Sequence, residues 1–102
     1  MYARVTRIQG DARRMDEGER WFQEDLLPRL ERLPGYRDAI LLIDRAHGVS
    51  LAIVFWESEE AMGASEGPAA GFRLEAEEAM RGSITMIERF ELAVQASALT
   101  PH

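Results

Sequence analysis

Few side chains in this sequence carry chemistry, and their types exclude more than they allow. The chain has no cysteine, lysine or asparagine. That removes disulfides, thiolate nucleophiles, thiolate metal sites and Schiff-base chemistry, each of which needs a thiol or a side-chain amine. His47 could serve as a general base or metal ligand. Its place beside Gly48 in a polar turn favours an exposed hairpin tip instead. The other histidine, His102, falls in the last few residues. No spacing of histidines and carboxylates offers convergent metal ligands. No serine lies in a nucleophile elbow, and Gly63, Gly67 and Gly71 lack the spacing of a phosphate loop. The acidic clusters Glu59-Glu60 and Glu75, Glu77, Glu78 suit a solvated helix surface.

What is left is aromatic, phenolic and cationic. Trp21 and Trp56 could line a pocket for a flat ligand, with core packing as the competing role. Tyr2 and Tyr36 offer phenols able to hydrogen-bond a quinone oxygen. Tyr36 follows Pro34-Gly35 at a strand start, where a structural role at the sheet edge competes. Arg4 and Thr6 are two apart and share one face of a strand. Phe72 and Met80 suit the cover over a sheet. All twelve basic residues are arginine. Their scatter reads as compositional bias rather than as an anion site. A net charge of −6 argues against nucleic acid as a partner, because phosphate binding needs a concentrated basic surface.

The elements that must position these residues follow from period and punctuation. Residues 2–8 read as a strand closed by Gly10-Asp11. From Ala12 the period becomes helical, with Met15, Phe22, Leu26, Leu30 and Leu33 on one stripe. Asp11 suits the N-cap, and Asp16 and Glu17 suit the positive end of the helix dipole. Pro28 should kink or divide this helix, and Leu33-Pro34-Gly35 should stop it. Strands follow at 36–44 and 49–56, joined by the His47-Gly48 turn. Ser58 caps a second helix, interrupted at Glu66-Gly67-Pro68, with Pro68 as first residue of a segment running to about Arg81. Residues 83–94 read as a long fourth strand, and 97–102 as a flexible tail.

The order is β-α-β-β-α-β, an α+β, ferredoxin-like arrangement. It implies a four-stranded antiparallel sheet with two helices on one face, in a single domain at 1–96. No apolar run approaches the roughly 20 residues that cross a bilayer. Met1-Tyr2-Ala3-Arg4 runs into a strand rather than a signal peptide. No membrane partner and a cytoplasmic location are expected.

Ala39-Ile40-Leu41-Leu42-Ile43 and Leu51-Ala52-Ile53-Val54-Phe55-Trp56 do not alternate apolar with polar, so both faces of this hairpin need cover. The chain's helices cover one. A large apolar patch in water is rare on a monomer, so a homodimer packed through the open sheet face is expected, with the long fourth strand reaching towards the partner.

Leu33-Pro34-Gly35-Tyr36, the hairpin, Phe55-Trp56-Glu57-Ser58-Glu59-Glu60-Ala61 and Glu88-Arg89-Phe90-Glu91 together resemble the dimeric α/β-barrel superfamily. The nearest branch is that of the antibiotic biosynthesis monooxygenase-like (ABM-like) domains. The resemblance spans residues 2–94 and rests on structural signatures. It implies a dimer with a ligand cavity between sheet and helices in each protomer. It also implies that Thr6 takes the place of an asparagine in haem-degrading relatives, which points Arg4 towards the cavity to meet an anion or enolate. The tryptophan and histidine of those relatives correspond to Ser65 and Glu75, so haem degradation is disfavoured.

The pocket candidates are Arg4, Thr6, Trp21, Tyr36, Trp56 and Phe72, with no catalytic residue, metal or cofactor assigned. The implied function is cofactor-independent oxygenation of a small aromatic or polyketide-like substrate. The alternative is a non-catalytic dimeric module that binds a small apolar ligand or accompanies another protein.

Overall fold

Strand β1 (Tyr2–Gln9) organises the fold, because its alternation sends Arg4, Thr6 and Ile8 to one buried face. The computed structural model describes residues 1–96. The tail expected at 97–102, including His102, lies outside the described residues. β1 pairs antiparallel with both β3 (Val49–Trp56) and β4 (Ser83–Glu91), while β2 (Tyr36–Asp44) pairs with β3. The sheet order is β2-β3-β1-β4. The helices lie on one face of this sheet, which makes the fold the ferredoxin-like α+β arrangement that the element order implies.

Between β1 and β2 runs a helical arm. Asp11 caps it by accepting from the Arg13 N–H at 2.9 Å. A 3-10 turn (Ala12–Arg14), helix α1 (Met15–Trp21), a π-helical turn (Phe22–Leu26) and helix α2 (Leu27–Leu30) follow. The sequence predicts a kink or division at Pro28, and the arm divides there: the π-helical turn ends at Leu26 and α2 starts at Leu27, with Pro28 its second residue. Proline has no N–H for the carbonyl four residues back, and its ring crowds that carbonyl. In the wider turn the Leu27 N–H reaches the Phe22 carbonyl, five residues back, and the arm continues past the proline. Its helix ends at Leu30 rather than Leu33, with the Leu33 N–H bonded to the Leu30 carbonyl at 3.0 Å. Phe22, Leu26 and Leu30 are buried against Ala39, Leu41, Ala52 and Val54 of the hairpin.

After β3, Ser58 accepts from the Ala61 N–H at 3.0 Å and opens α3 (Glu59–Ala64). Ser65 breaks the helix, and α4 (Glu66–Ala79) begins one residue later. Pro68 is therefore the third residue of α4, not the first. It sits in a turn whose N–H groups have no helical partner in any case. α4 stops before Arg81, which has φ +50° and turns the chain into β4. That strand ends at Glu91, short of the expected Val94, because Glu91 already pairs with Tyr2, where β1 begins.

The far face of the sheet is apolar at its centre, and among the described residues no element covers it. Ile53 lies at its centre, in register with Val5 on one side and Ile40 on the other. Leu42 and Phe90, on the same face by alternation, are each 50% exposed. Among the described residues no helix is long and apolar enough to cross a membrane.

Candidate ligand cavity

A cavity of about 60 Å³, partly open to solvent, lies between the inner face of the sheet and the helices. Its floor comes from alternate residues of the two central strands: Arg4, Thr6 and Ile8 on β1, Ala52 and Val54 on β3. The helical arm contributes Trp21, Phe22, Leu26 and Leu30, and α4 contributes Ala69, Phe72, Arg73 and Ala76, with Met80 just past its end. The lining is almost wholly apolar apart from the two arginines and Thr6.

One end of the cavity is an ion cluster centred on Glu66. Arg4 is only 5% exposed. Its Nε donates to Glu66 Oε1 at 3.0 Å, and its Nη2 donates to the Met62 carbonyl at 2.7 Å and to Ser65 Oγ at 3.0 Å. Ser65 in turn donates to the Met62 carbonyl at 2.6 Å. Arg89, opposite Arg4 in the β1–β4 ladder, also pairs with Glu66. Arg73 reaches the same carboxylate from α4, at 3.5 Å. Burial pushes the Arg4 pKa down, and Glu66 opposes that shift. Burial also pushes the Glu66 carboxyl up, but the Arg89 hydrogen bond and the charges of Arg4, Arg89 and Arg73 outweigh it and hold the group below the usual carboxylate range.

A second ion pair ties the arm to α4 beside the cavity. Arg29 donates through both terminal nitrogens to Glu75, at 2.8 and 2.7 Å, and its guanidinium lies 5.0 Å over the Phe72 ring. The Arg29 hydrogen bonds hold the Glu75 carboxyl below its usual range. Phe72 is thereby held against the arm, where Trp21 also stands.

Of the residues singled out from sequence, Arg4, Thr6, Trp21 and Phe72 meet at the cavity, and Tyr36 and Trp56 do not. Trp56 is completely buried behind Arg4, whose guanidinium carbon lies 6.0 Å from its ring. Tyr36 packs edge-on against Trp56, with centroids 6.3 Å apart at 87°. Burial raises its phenol pKa, with Asp38 and Glu31 adding to the shift. Both sit where β2 begins and β3 ends, at the end of the hairpin away from its turn, where they pair with each other and lie off the cavity lining. His47 stands at the hairpin tip, with Nδ1 2.9 Å from Asp44 Oδ2. The positions matched to haem-degrading relatives also separate. Thr6 lines the cavity, Ser65 is bonded to Arg4, and Glu75 holds Arg29. Sequence reasoning missed Glu66 and Arg73. They are seven apart, which places them on one helical face, and that spacing was the available signal. Among the described residues no group of three His, Cys, Asp or Glu converges on a metal position.

No protein-family model matches the chain. Among solved structures, a protein from Deinococcus radiodurans assigned to the antibiotic biosynthesis monooxygenases superposes with a TM-score of 0.72 over 98% of this chain and 100% of that one, at 13% identity. The ActVA-Orf6 monooxygenase of Streptomyces coelicolor, solved with nanaomycin D, gives 0.69 over 94% and 92%, at 14% identity. The chain has the ABM-like fold. The haem degrader MhuD of Mycobacterium tuberculosis shares this ABM-like fold, with a TM-score of 0.68 over 95% of this chain and 100% of that one, at 22% identity. In sequence, the chain is 33% identical over 93 residues to the uncharacterized protein Rv2557 of Mycobacterium tuberculosis, covering 91% of this chain and 41% of that protein. It thus spans about two fifths of the length of that relative.

Proposed function

We propose that this ABM-like domain binds a small aromatic or polyketide-like molecule in the cavity between sheet and helices, as a homodimer packed through the open sheet faces. The observation that carries this reading is the cavity itself, an apolar slot walled by Trp21, Phe22 and Phe72 with guanidinium groups at one end. Ligand sites are largely apolar with a few polar groups that fix orientation. The cavity, at about 60 Å³, holds a few waters or part of a ring. A ring enters when Phe72 and Trp21, both partly exposed, swing outward. The apolar far face, with Ile53 at its centre, supports the dimer, since its burial against a second copy removes it from water.

A second reading is cofactor-independent oxygenation of that molecule, and the arginine-rich end supports it. Positive charge favours the ionised form of a weakly acidic C–H substrate. The substrate carbanion would pass electrons to dioxygen and form a C–O bond. The resulting hydroperoxide would lose water to leave a ketone, so that CH2 and O2 become C=O and H2O. Against this stands the lining, which among the described residues holds no histidine, carboxylate or phenol to move a proton. Oxygen uptake with hydroxylated anthrones and naphthols separates the two readings. Turnover that Phe72→Ala alters establishes oxygenation; binding of the same compounds without uptake establishes the binding module; neither binding nor uptake overturns both. Among the described residues the lining also offers no histidine, cysteine or tyrosine to an iron, so these residues do not fit an axially held haem. A Soret band that survives gel filtration after hemin addition would overturn that inference.

A further inference from the structure

We propose that the Arg73 end of the cavity receives the carboxylate of a small aromatic acid, with the ring lying against Phe22, Val54 and Phe72. This deepens the binding reading above and rests on it. Three guanidinium groups, those of Arg4, Arg73 and Arg89, share one carboxylate, Glu66. The cluster therefore carries a net charge of +2, and Arg4 and Arg73 are its two members on the cavity lining.

The three arginines differ in how firmly they are engaged. Arg4 is held by Glu66, Ser65 and the Met62 carbonyl, and Arg89 by Glu66 through two nitrogens. Arg73 has only the 3.5 Å contact to Glu66, at the limit of hydrogen bonding, and its Nη1 is buried with no partner among the described residues. The Arg73 side chain is 21% exposed, so this one nitrogen is shut off from solvent while the rest of the group is not, and a buried donor without an acceptor is uncommon. Its persistence beside an otherwise apolar cavity points to a guest that brings the acceptor.

The form of the site narrows the guest. A guanidinium fork matches the two coplanar oxygens of a carboxylate. The remaining walls are aliphatic and aromatic, so the rest of the guest must be apolar and flat, and the volume limits it to about one ring. A free inorganic anion would leave those walls facing water.

The test is calorimetric titration of the full chain with benzoate, its neutral isostere benzamide, and acetate. Benzoate should bind about tenfold or more tightly than benzamide or acetate, the factor expected for a charge-assisted hydrogen bond added to ring burial. Arg73→Met should remove most of the benzoate advantage and leave benzamide unchanged. Arg73→Lys, which keeps the charge but not the fork, should fall between them and covers the case in which the methionine variant misfolds. Equal affinity for benzoate and benzamide, both abolished by filling the cavity with Ala76→Phe, would overturn the carboxylate and keep the cavity as the ligand site. Acetate binding as well as benzoate would show an anion site with no place for the ring, which also overturns the proposal. No binding of any of the three sinks this inference, and binding of an anthrone in the same cell would then show that the cavity reading survives it.

Discussion

Replacing Glu66 with glutamine strips the carboxylate from the cluster while keeping its shape, and the structure sets the size of the effect. Arg4 is 5% exposed and the Glu66 side chain 33% exposed. Removing one partner of a fully buried ion pair costs about 3–5 kcal/mol, whereas an exposed pair contributes about 0–1 kcal/mol. Here the cation is buried, its counter-ion is a third open to water, and glutamine can still accept from Arg4 Nε. About 2 kcal/mol of destabilisation is therefore expected. In a domain of this size each kcal/mol moves Tm by about 4–8 °C, so Tm should fall by about 8–16 °C. Arg89→Met, which removes a guanidinium 47% exposed, should cost under about 1 kcal/mol. Exchanging Arg4→Met together with Glu66→Leu should recover only part of the loss, because the most buried cation is gone but Arg73 still loses its carboxylate. The assay is thermal unfolding followed by circular dichroism, at one protein concentration because the proposed dimerisation would make Tm concentration-dependent. A Glu66→Gln shift no larger than that of Arg89→Met would refute the reasoning, since it would mean that Arg4 does not depend on this carboxylate.

Two further outcomes follow from the same structure. Because the Glu66 carboxyl is held below its usual range, the folded state binds fewer protons than the unfolded chain as pH drops past about 4.3, and stability is lost as pH falls through the folded-state pKa. Urea unfolding between about pH 5 and 3 should show a shallower pH slope for Glu66→Gln than for the wild type, and an identical slope would assign the acid sensitivity to other carboxylates. For assembly, light scattering at micromolar concentration should give twice the 11.5 kDa chain mass. Ile53→Glu, which places a charge at the centre of the open face, should give the monomer mass. A monomeric wild type would contradict the dimer.

The hairpin was legible before any coordinates. Strands at 36–44 and 49–56 match the observed β2 and β3, because long apolar runs bounded by Pro-Gly and His-Gly turns have few other ways to fold. The helical arm was less so. Its apolar stripe showed a helix, but the response of the backbone to Pro28 depended on what Phe22 and Leu26 had to reach, and that is a tertiary demand. The end of β4 was misplaced because a strand stops where its partner does, and pattern alone does not show where β1 begins to pair.

At the site the division has a physical cause. Residue types and period two determined that Arg4 and Thr6 share a face, that thiol and amine chemistry are absent, and that the sheet has an apolar side its own helices do not reach. Which of twelve arginines face a cavity was decided only by the packing of α4 across β1. That packing spends Arg4 on Glu66, leaves Arg73 Nη1 unpartnered, and sets Trp56 and Tyr36 behind the wall. Charge pairing depends on distances between residues far apart in the chain, such as Arg4 with Glu66, 62 positions on, and a one-dimensional pattern carries no such distance.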